Sequence, residues 1–271
     1  MTSRREKRLL TSRGRSFWPL NTVRRPPDAE VFAPDLPHPV ALLVYDRLED
    51  KVIAQRALPR KVPSLGGVSI SPKGNFFVAD FDPKESGQSG SDADPADCMV
   101  YDRLLRRGRS FPGVGHSDIA VDAQGGEVLV YQDNKTDHIA MIDLASGVVT
   151  ALLPIDFKHA PLGFHVSGRA LRRPGWALVS CYAGRRNASN TWMDDQIFAV
   201  ELRRGGRVVR LAHHHSVYDS NQEHDYWAEP HATVNADFTR ILFTSNWGRS
   251  GTENVETYMI QLPPNWLSQI P

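Results

Sequence analysis

The sequence predicts an all-β fold, a β-propeller built of four-stranded antiparallel blades. Two observations lead to this prediction. Short apolar runs separated by polar turns recur along the chain, and related runs around Asp46, Asp102, Asp143, Glu201 and Gln261 are spaced 41 to 60 residues apart. Units of this length with four short strands each are typical of propeller blades. The composition, with 41% apolar and 23% charged residues, is that of an ordinary globular protein.

Composition and charge exclude several other classes of protein. The 271 residues contain no apolar run of the roughly 18 residues that a membrane helix needs, so we predict no membrane span. Cys98 and Cys181 are the only cysteines, too few for a disulfide scaffold or a four-cysteine zinc module. With 32 basic and 31 acidic side chains the net charge is +1, and we do not expect nucleic acid as a partner.

The first 39 residues differ from the rest of the chain. Residues 1–27 contain eight basic side chains and one acidic side chain, and residues 1–39 contain six prolines. No helical or alternating apolar pattern is present there. We therefore predict a poorly ordered basic arm over residues 1–39 and a propeller domain over residues 40–271. The arm also lacks the apolar stretch of a secretory signal, so the sequence leaves the compartment open.

The first repeated unit after the arm is a β-hairpin. The run Val-Tyr-Asp-Arg-Leu at residues 44–48 recurs letter for letter at residues 100–104. Weaker copies follow at residues 141–144, 199–202 and 259–262. All copies but the last continue through a polar turn into a second short apolar run, which is the pattern of two antiparallel strands joined by a tight turn.

The second repeated unit lies between these hairpins and again reads as strand, polar turn and strand. Its copies occupy residues 67–78, 118–130, 164–180 and 231–245. Together the two units predict 17 strands, in three full blades flanked by a two-stranded and a three-stranded position. About four to five blade positions follow. They form either an arc or a longer propeller that is shortened at its N-terminus and incompletely closed.

Three histidines stand at equivalent places, at the start of predicted inner strands: His116, His165 and His231. Inner strands converge on the central channel of a propeller, and neutral imidazole is a common ligand of transition metals. Glu229 and His231 flank Pro230, and a spacing of two points both side chains to one side of an extended segment. We therefore predict a manganese or zinc site formed by His116, His165, Glu229 and His231. The alternative is that these histidines only cap strands or bond neighbouring blades.

The loop that precedes the last blade is rich in histidine and aromatic residues. Five of the ten histidines lie within residues 213–231, but alternation along a strand end prevents His213, His214 and His215 from all facing one site. Tyr226 and Trp227 are predicted to bind a ligand, because sugar rings stack on exposed aromatic side chains. Trp247 is interpreted as core packing.

Two segments resemble a known family. The turn Ser71-Pro72-Lys73-Gly74-Asn75 and the last blade, Glu229-Pro230-His231 with residues 237–248, are similar to those of TolB-like propellers, a superfamily that includes the oligogalacturonate lyases and a bacterial branch without an assigned activity. In the lyases the pattern Gln-x-x-His-Pro-His binds a divalent metal, typically manganese. By position, Tyr226 replaces the glutamine, Glu229 replaces the first histidine, and His231 matches the second. The resemblance also implies a periplasmic or secreted protein.

The sequence leaves three functions open. The first is a propeller that binds a saccharide or peptide ligand at the channel mouth, with a His/Glu metal site. The second is a metal-dependent polysaccharide lyase, in which the metal neutralises a uronate carboxylate while His165 or His116 removes the adjacent proton. The third is a scaffold that recruits a protein without catalysis. Neither a catalytic residue nor the oligomeric state follows from the sequence.

Overall fold

The computed structural model describes residues 9–10, 15–19, 41–57, 64–82, 98–156, 162–183, 191–219 and 221–270. All five sheets in this part of the chain are antiparallel, and within each sheet the strands follow one another in chain order. The chain divides into two compact units, residues 1–114 and residues 115–271. The predicted all-β fold of four-stranded antiparallel blades is therefore confirmed: four of the five described sheets have four strands, the last has three, and the sheets are not closed.

The first unit contains two four-stranded sheets. The strands of the first sheet are β1 (Leu9–Leu10), β2 (Arg15–Pro19), β3 (Ala41–Asp46) and β4 (Lys51–Ala57). Those of the second are β5 (Ser64–Ile70), β6 (Phe76–Asp82), β7 (Cys98–Asp102) and β8 (Gly108–Phe111). Phe77, Leu42 and Tyr101 are among the buried side chains of this unit, and Arg56 lies over the Tyr101 ring.

The second unit contains three sheets. They comprise β9 (Val114–Val121), β10 (Glu127–Asp133), β11 (His138–Asp143) and β12 (Val149–Pro154); β13 (Leu162–Ser167), β14 (Trp176–Ala183), β15 (Gln196–Glu201) and β16 (Val208–His213); and β17 (Thr233–Val234), β18 (Arg240–Ser245) and β19 (Glu256–Gln261). Two 3-10 helices, Glu223–Ala228 and Trp266–Gln269, accompany the last sheet.

The acidic residue that marks the first repeat is a turn former. Asp46 Oδ1 accepts a hydrogen bond from Leu48 N–H at 3.0 Å, and Asp102 Oδ1 accepts one from Leu104 N–H at 3.0 Å. Asp143 Oδ1 likewise accepts from Ser146 N–H at 2.6 Å. A carboxylate that satisfies turn amides favours a tight hairpin. The repeated aspartate therefore ends each strand because it satisfies the backbone of the following turn.

The turns of the second repeat use the same chemistry. Asp122 Oδ1 accepts from Gln124 N–H at 2.9 Å and from Gly126 N–H at 2.7 Å. Gly125 has a φ of 84°, in the left-handed region that favours glycine. Polar side chains and glycine thus fix the turn between β9 and β10, and with it the register that brings their apolar residues into the core.

Two strands lie within the segment that the sequence analysis predicts to be an arm. β2 pairs with β3, with Phe17 opposite Val44, and β1 pairs with β2. The predicted count of 17 strands is thus too low, since 19 strands are present in the described residues. The pattern of apolar and polar residues does not predict these two strands, because they form by pairing, β2 with β3 and β1 with β2. Residues 1–8, 11–14 and 20–39 of the predicted arm lie outside the described residues, and the boundary between residues 39 and 40 stays a prediction.

The second unit has two apolar clusters that fix the sheets around the candidate site. One contains Phe164 and Phe198, both completely buried, and the other contains Phe238 and Trp266. The Trp266 ring packs against Phe238 and Trp176, and its Nε1–H donates to the Phe238 carbonyl at 2.7 Å. Within the described residues, no helix is both long and apolar enough to cross a membrane.

We expect Trp266→Ala to lower the free energy of unfolding by about 3–5 kcal/mol, because it leaves a cavity and an unpaired carbonyl in the core. Urea denaturation followed by far-UV circular dichroism measures the change. Leu171→Ala is the control, since Leu171 is 39% exposed. Equal stability of Trp266→Ala and the control would contradict the assigned role of Trp266.

Candidate metal centre

The three histidines at equivalent strand positions lie side by side. His116 belongs to β9, His165 belongs to β13, and His231 stands two residues before β17. The ring centroids of His116 and His165 are 4.7 Å apart, and those of His165 and His231 are 3.7 Å apart. Both pairs are stacked, so His165 lies between the other two rings. The predicted convergence of these side chains is present in the second unit.

Glu229 joins this stack of histidines through its carboxylate. Its Oε2 lies 2.9 Å from His165 Nε2 and 3.6 Å from His231 Nε2. One ligand atom from each of the three residues lies within 4.8 Å of the others. Glu229 and His165 are buried, whereas the His231 side chain is 56% exposed. The cluster is therefore buried on the Glu229 side and open to solvent on the His231 side.

The segment Glu229–His231 is held in place by the neighbouring strand β18. Thr244 Oγ1 donates to the Glu229 carbonyl at 2.6 Å, and Thr244 N–H donates to the Pro230 carbonyl at 2.9 Å. His231 itself has a φ of 40°, in the left-handed region that a side chain rarely adopts. The hydrogen bonds to β18 hold this strained backbone, which turns the imidazole toward Glu229.

Tyr182 is the site residue that the sequence analysis missed. Its ring stacks on His165 at a centroid distance of 5.1 Å and lies close to the Glu229 carboxylate. Burial, together with the nearby Glu229 charge, raises the pKa of Tyr182 far above its usual range, so the phenol stays protonated at neutral pH. The one local signal is Gly163, its cross-strand partner, where an added Cβ would overlap the Tyr182 ring.

His116 lies beside the three-residue cluster but is not part of it. Its Nδ1–H donates to the Phe164 carbonyl at 2.6 Å, which fixes the ring and leaves Nε2 as the acceptor nitrogen of the neutral imidazole. His116 is exposed. Its position suits a base or an additional contact to a ligand better than a place in the buried part of the cluster.

Burial governs the charge state of His231. Desolvation lowers the pKa of His231, the neighbouring His165 lowers it further, and Glu229 opposes both effects. A neutral imidazole at neutral pH is the form that binds metal ions. The partly buried position thus favours the ligating form of this side chain.

A buried carboxylate fixes the loop that carries the predicted aromatic residues. Asp225 lies in the 3-10 helix Glu223–Ala228 and has no exposed surface. It accepts from Ser250 Oγ at 2.5 Å and from Gly251 N–H at 2.8 Å, as well as from Asp219 N–H at 2.9 Å. Tyr226 and Trp227, the next two residues, are 55% and 66% exposed and contact each other edge to face. Both side chains are therefore exposed, and their role in ligand binding stays a prediction.

The histidine run is divided between core and surface, as the alternation argument predicts. His214 is completely buried, with its Nε2–H donating to the Cys181 carbonyl at 2.6 Å and its Nδ1 accepting from Ser216 N–H at 3.0 Å. His213 and His215 are exposed. Burial lowers the pKa of His214 to about 4, so this side chain is a neutral structural group at neutral pH.

The donor set and its spacing fit a divalent transition metal. Two imidazoles and one carboxylate are ligands that manganese and zinc both accept. Two ligands about 2.1 Å from one ion lie about 3 Å apart at a right angle and about 3.4 Å apart at the tetrahedral angle. Two of the three separations, 2.9 Å and 3.6 Å between Glu229 Oε2 and the imidazole nitrogens, are close to these values, and all three ligand atoms lie within 4.8 Å.

A propeller with a His/Glu cluster is the class of protein that these observations define. One similar solved structure is an oligogalacturonate lyase in complex with manganese, 16% identical, with a TM-score of 0.51 over 83% of this chain and 55% of the lyase. Another is an oligogalacturonate lyase from Vibrio parahaemolyticus, 14% identical, with the same TM-score and coverage. A scan against protein-family models and a comparison with curated proteins gave no match.

These comparisons confirm the resemblance to TolB-like and oligogalacturonate lyase-like propellers at the level of the fold. At 14–16% identity they show the fold alone. This chain also spans only about half the length of the lyases that it matches, 55% in both cases. The activity of the lyases does not transfer with the fold, because one fold supports many functions.

The buried His214 makes the free energy of unfolding depend on pH. Its pKa is about 4 in the folded protein and 6.5 in the unfolded chain, so between these values the unfolded chain binds more protons. We expect acidification from pH 7 to pH 5 to remove roughly 2 kcal/mol of stability through this residue. Urea denaturation at both pH values measures the loss, and His214→Gln, which retains a donor and an acceptor, should lose correspondingly less.

His138→Gln is the control, because His138 is only partly buried and bonds the nearby Thr136 carbonyl. It should lose as much stability as the wild type over the same pH interval. An identical acid loss in the wild type and in His214→Gln would contradict the assignment to His214.

Proposed function

We propose that this chain binds a divalent transition metal, manganese or zinc, through His165, Glu229 and His231, and uses the site to bind an acidic saccharide. The observation that supports this most directly is that one ligand atom each of His165, Glu229 and His231 lies within 4.8 Å of the others. When bound, the ion supplies a positive charge that attracts a carboxylate of the ligand.

The surroundings of the cluster support a ligand role for Glu229. A buried carboxylate needs compensating partners, and Glu229 is hydrogen-bonded to His165. Tyr182 packs on the His165 ring and lies close to the carboxylate, as outer groups do around metal ligands. Tyr182 is therefore proposed as a positioning residue that helps to hold His165 and Glu229 at the ion.

Two considerations favour an acidic saccharide over a peptide. The exposed Tyr226 and Trp227 rings lie on the 3-10 helix just before Glu229, and sugar rings stack on such faces. In addition, two of the solved structures that share the fold are lyases of oligogalacturonate, a uronic acid oligomer, and one of the two contains manganese. A cation beside aromatic faces matches a ligand that combines a carboxylate with sugar rings.

We expect the purified protein to bind Mn²⁺, and we expect His165→Ala and Glu229→Gln to weaken that binding at least tenfold, since each removes a ligand. Titration followed by electron paramagnetic resonance of free Mn²⁺ measures the affinity, with Zn²⁺ tested by competition. Tyr182→Phe should weaken binding less than either ligand variant. His138→Ala, at the start of β11, is the matched control and should bind like the wild type.

Wild-type protein that binds neither ion, or Glu229→Gln with wild-type affinity, would overturn the metal site. That result would favour the remaining hypothesis of the sequence analysis, a scaffold that recruits a protein.

His116 favours a second candidate function, a metal-dependent polysaccharide lyase. His165 Nε2 is already engaged by Glu229, whereas the acceptor nitrogen of His116, Nε2, belongs to an exposed ring stacked on His165. In this reaction His116 Nε2 takes the proton from the carbon next to a uronate carboxylate. The electron pair forms a C=C bond, the bond to the glycosidic oxygen breaks, and that oxygen takes a proton from solvent.

We expect a lyase to release unsaturated uronides from pectin or alginate fragments in the presence of Mn²⁺, detected as a rise in ultraviolet absorbance. His116→Ala should lower the rate about a hundredfold or more, because general bases contribute factors of this size. It should leave Mn²⁺ affinity within about twofold of the wild type. If metal-loaded wild-type protein gives no change in absorbance, the lyase hypothesis is wrong. The proposed metal-dependent binding site is not affected by that result.

A further inference from the structure

Two exposed aromatic residues of the second unit have a backbone conformation that bulky side chains rarely adopt. Trp247 has a φ of 49° and His215 has a φ of 56°. The interpretation of Trp247 as core packing is wrong, because 49% of the residue is exposed. The packing around β18 leaves this ring at the surface. Strained residues that gain little burial in return are typical of functional positions.

These two residues belong to a row of aromatic rings. The Trp247 ring lies 4.6 Å from His215 and 4.8 Å from Tyr258, measured between centroids. The interplanar angles of 47° and 31° show that the rings are tilted toward each other and not stacked face to face. We call His215, Trp247 and Tyr258 the aromatic platform. Its rings are large enough together to contact one sugar ring.

Hydrogen bonds hold the aromatic platform in a single arrangement. Trp247 N–H donates to Ser245 Oγ at 2.9 Å, and Gly248 N–H donates to the His215 carbonyl at 2.8 Å. Ser245 is completely buried. The loop after β16 and the loop after β18 are thus tied to each other. A surface fixed in this way loses little conformational entropy when a ligand binds.

The aromatic platform is linked to the metal centre through β18. Thr244 donates hydrogen bonds to the carbonyls of Glu229 and Pro230, and Trp247 follows Thr244 by three residues. Three residues of extended chain span at most about 10 Å. The Trp247 backbone therefore lies within about 10 Å of the residue that bonds the Glu229 carbonyl, a separation that a short oligosaccharide can span.

We propose that the aromatic platform binds the face of a second sugar ring in an acidic oligosaccharide whose first carboxylate is held at the metal centre. The proposal rests on the proposed function and adds to it a subsite that recognises chain length. The apolar C–H face of a sugar ring packs on an aromatic face and releases water from both. At one end of the platform, His213 Nε2 and Asp195 Oδ2, 4.0 Å apart, offer polar groups to the sugar hydroxyls.

Trp247→Gly tests this subsite without straining the fold. Glycine adopts a φ of 49° freely, so removal of the ring also removes the strain, and we expect the melting temperature to stay the same or rise. The probes are galacturonate and trigalacturonate, titrated by calorimetry with saturating Mn²⁺. We expect Trp247→Gly to bind trigalacturonate about tenfold more weakly, and to bind galacturonate and Mn²⁺ like the wild type.

Two further variants complete the comparison. Trp247→Phe keeps an aromatic face and should retain most of the affinity for trigalacturonate. Leu171 is an exposed apolar residue that follows the C-terminal end of β13, whereas Gly163 lies near the start of that strand. The Leu171→Ala variant should therefore bind both sugars like the wild type.

If Trp247→Gly binds trigalacturonate like the wild type, the proposed subsite is wrong. The same conclusion follows if the variant loses as much affinity for galacturonate as for trigalacturonate. Wild-type protein that binds Mn²⁺ but not trigalacturonate would also overturn the subsite while leaving the metal centre in place. Wild-type protein that binds no Mn²⁺ would instead overturn the proposed function on which the platform rests.

Discussion

The candidate site depends on one buried carboxylate, that of Glu229. An ionised carboxylate that is removed from water must be paired or hydrogen-bonded, or it becomes protonated. Glu229 is hydrogen-bonded to His165, its Oε2 lies 3.6 Å from His231 Nε2, and the Tyr182 ring is close by. Each partner comes from a different segment of the second unit. The pairing requirement therefore ties β13, β14 and the segment before β17 together at one point.

The backbone around Glu229 is strained where it serves the site. His231, His215 and Trp247 all have positive φ values without being glycine. Hydrogen bonds from Thr244 and from Gly248 hold these conformations in place. β18 thus supports both the candidate metal ligands and the aromatic platform. Loops carry function in such proteins because the sheets beneath them are firm enough to hold unfavourable local geometry.

The resemblance to the lyases is informative where it departs from their pattern. Tyr226 stands where the lyase pattern has glutamine, and it is exposed on a 3-10 helix outside the three-residue cluster. Glu229 stands where that pattern has histidine, and it lies within the cluster. A glutamate at this position is a potential ligand that carries a negative charge, which suits a hard dication. At 16% identity the shared fold leaves room for such a difference from the lyase pattern.

The sequence by itself determined the hairpins, the repeat and the convergence of three histidines. These features are local, because Asp46, Asp102 and Asp143 satisfy the amides of their own turns and copies of one unit place equivalent residues alike. Only the tertiary structure decided that Tyr182 reaches Glu229, that His214 is buried, and that Trp247 is exposed. It also decided that β2 pairs with β3. Those outcomes depend on contacts between segments that are distant in sequence. Residue type and local spacing predict secondary structure, but they do not predict which distant residues touch.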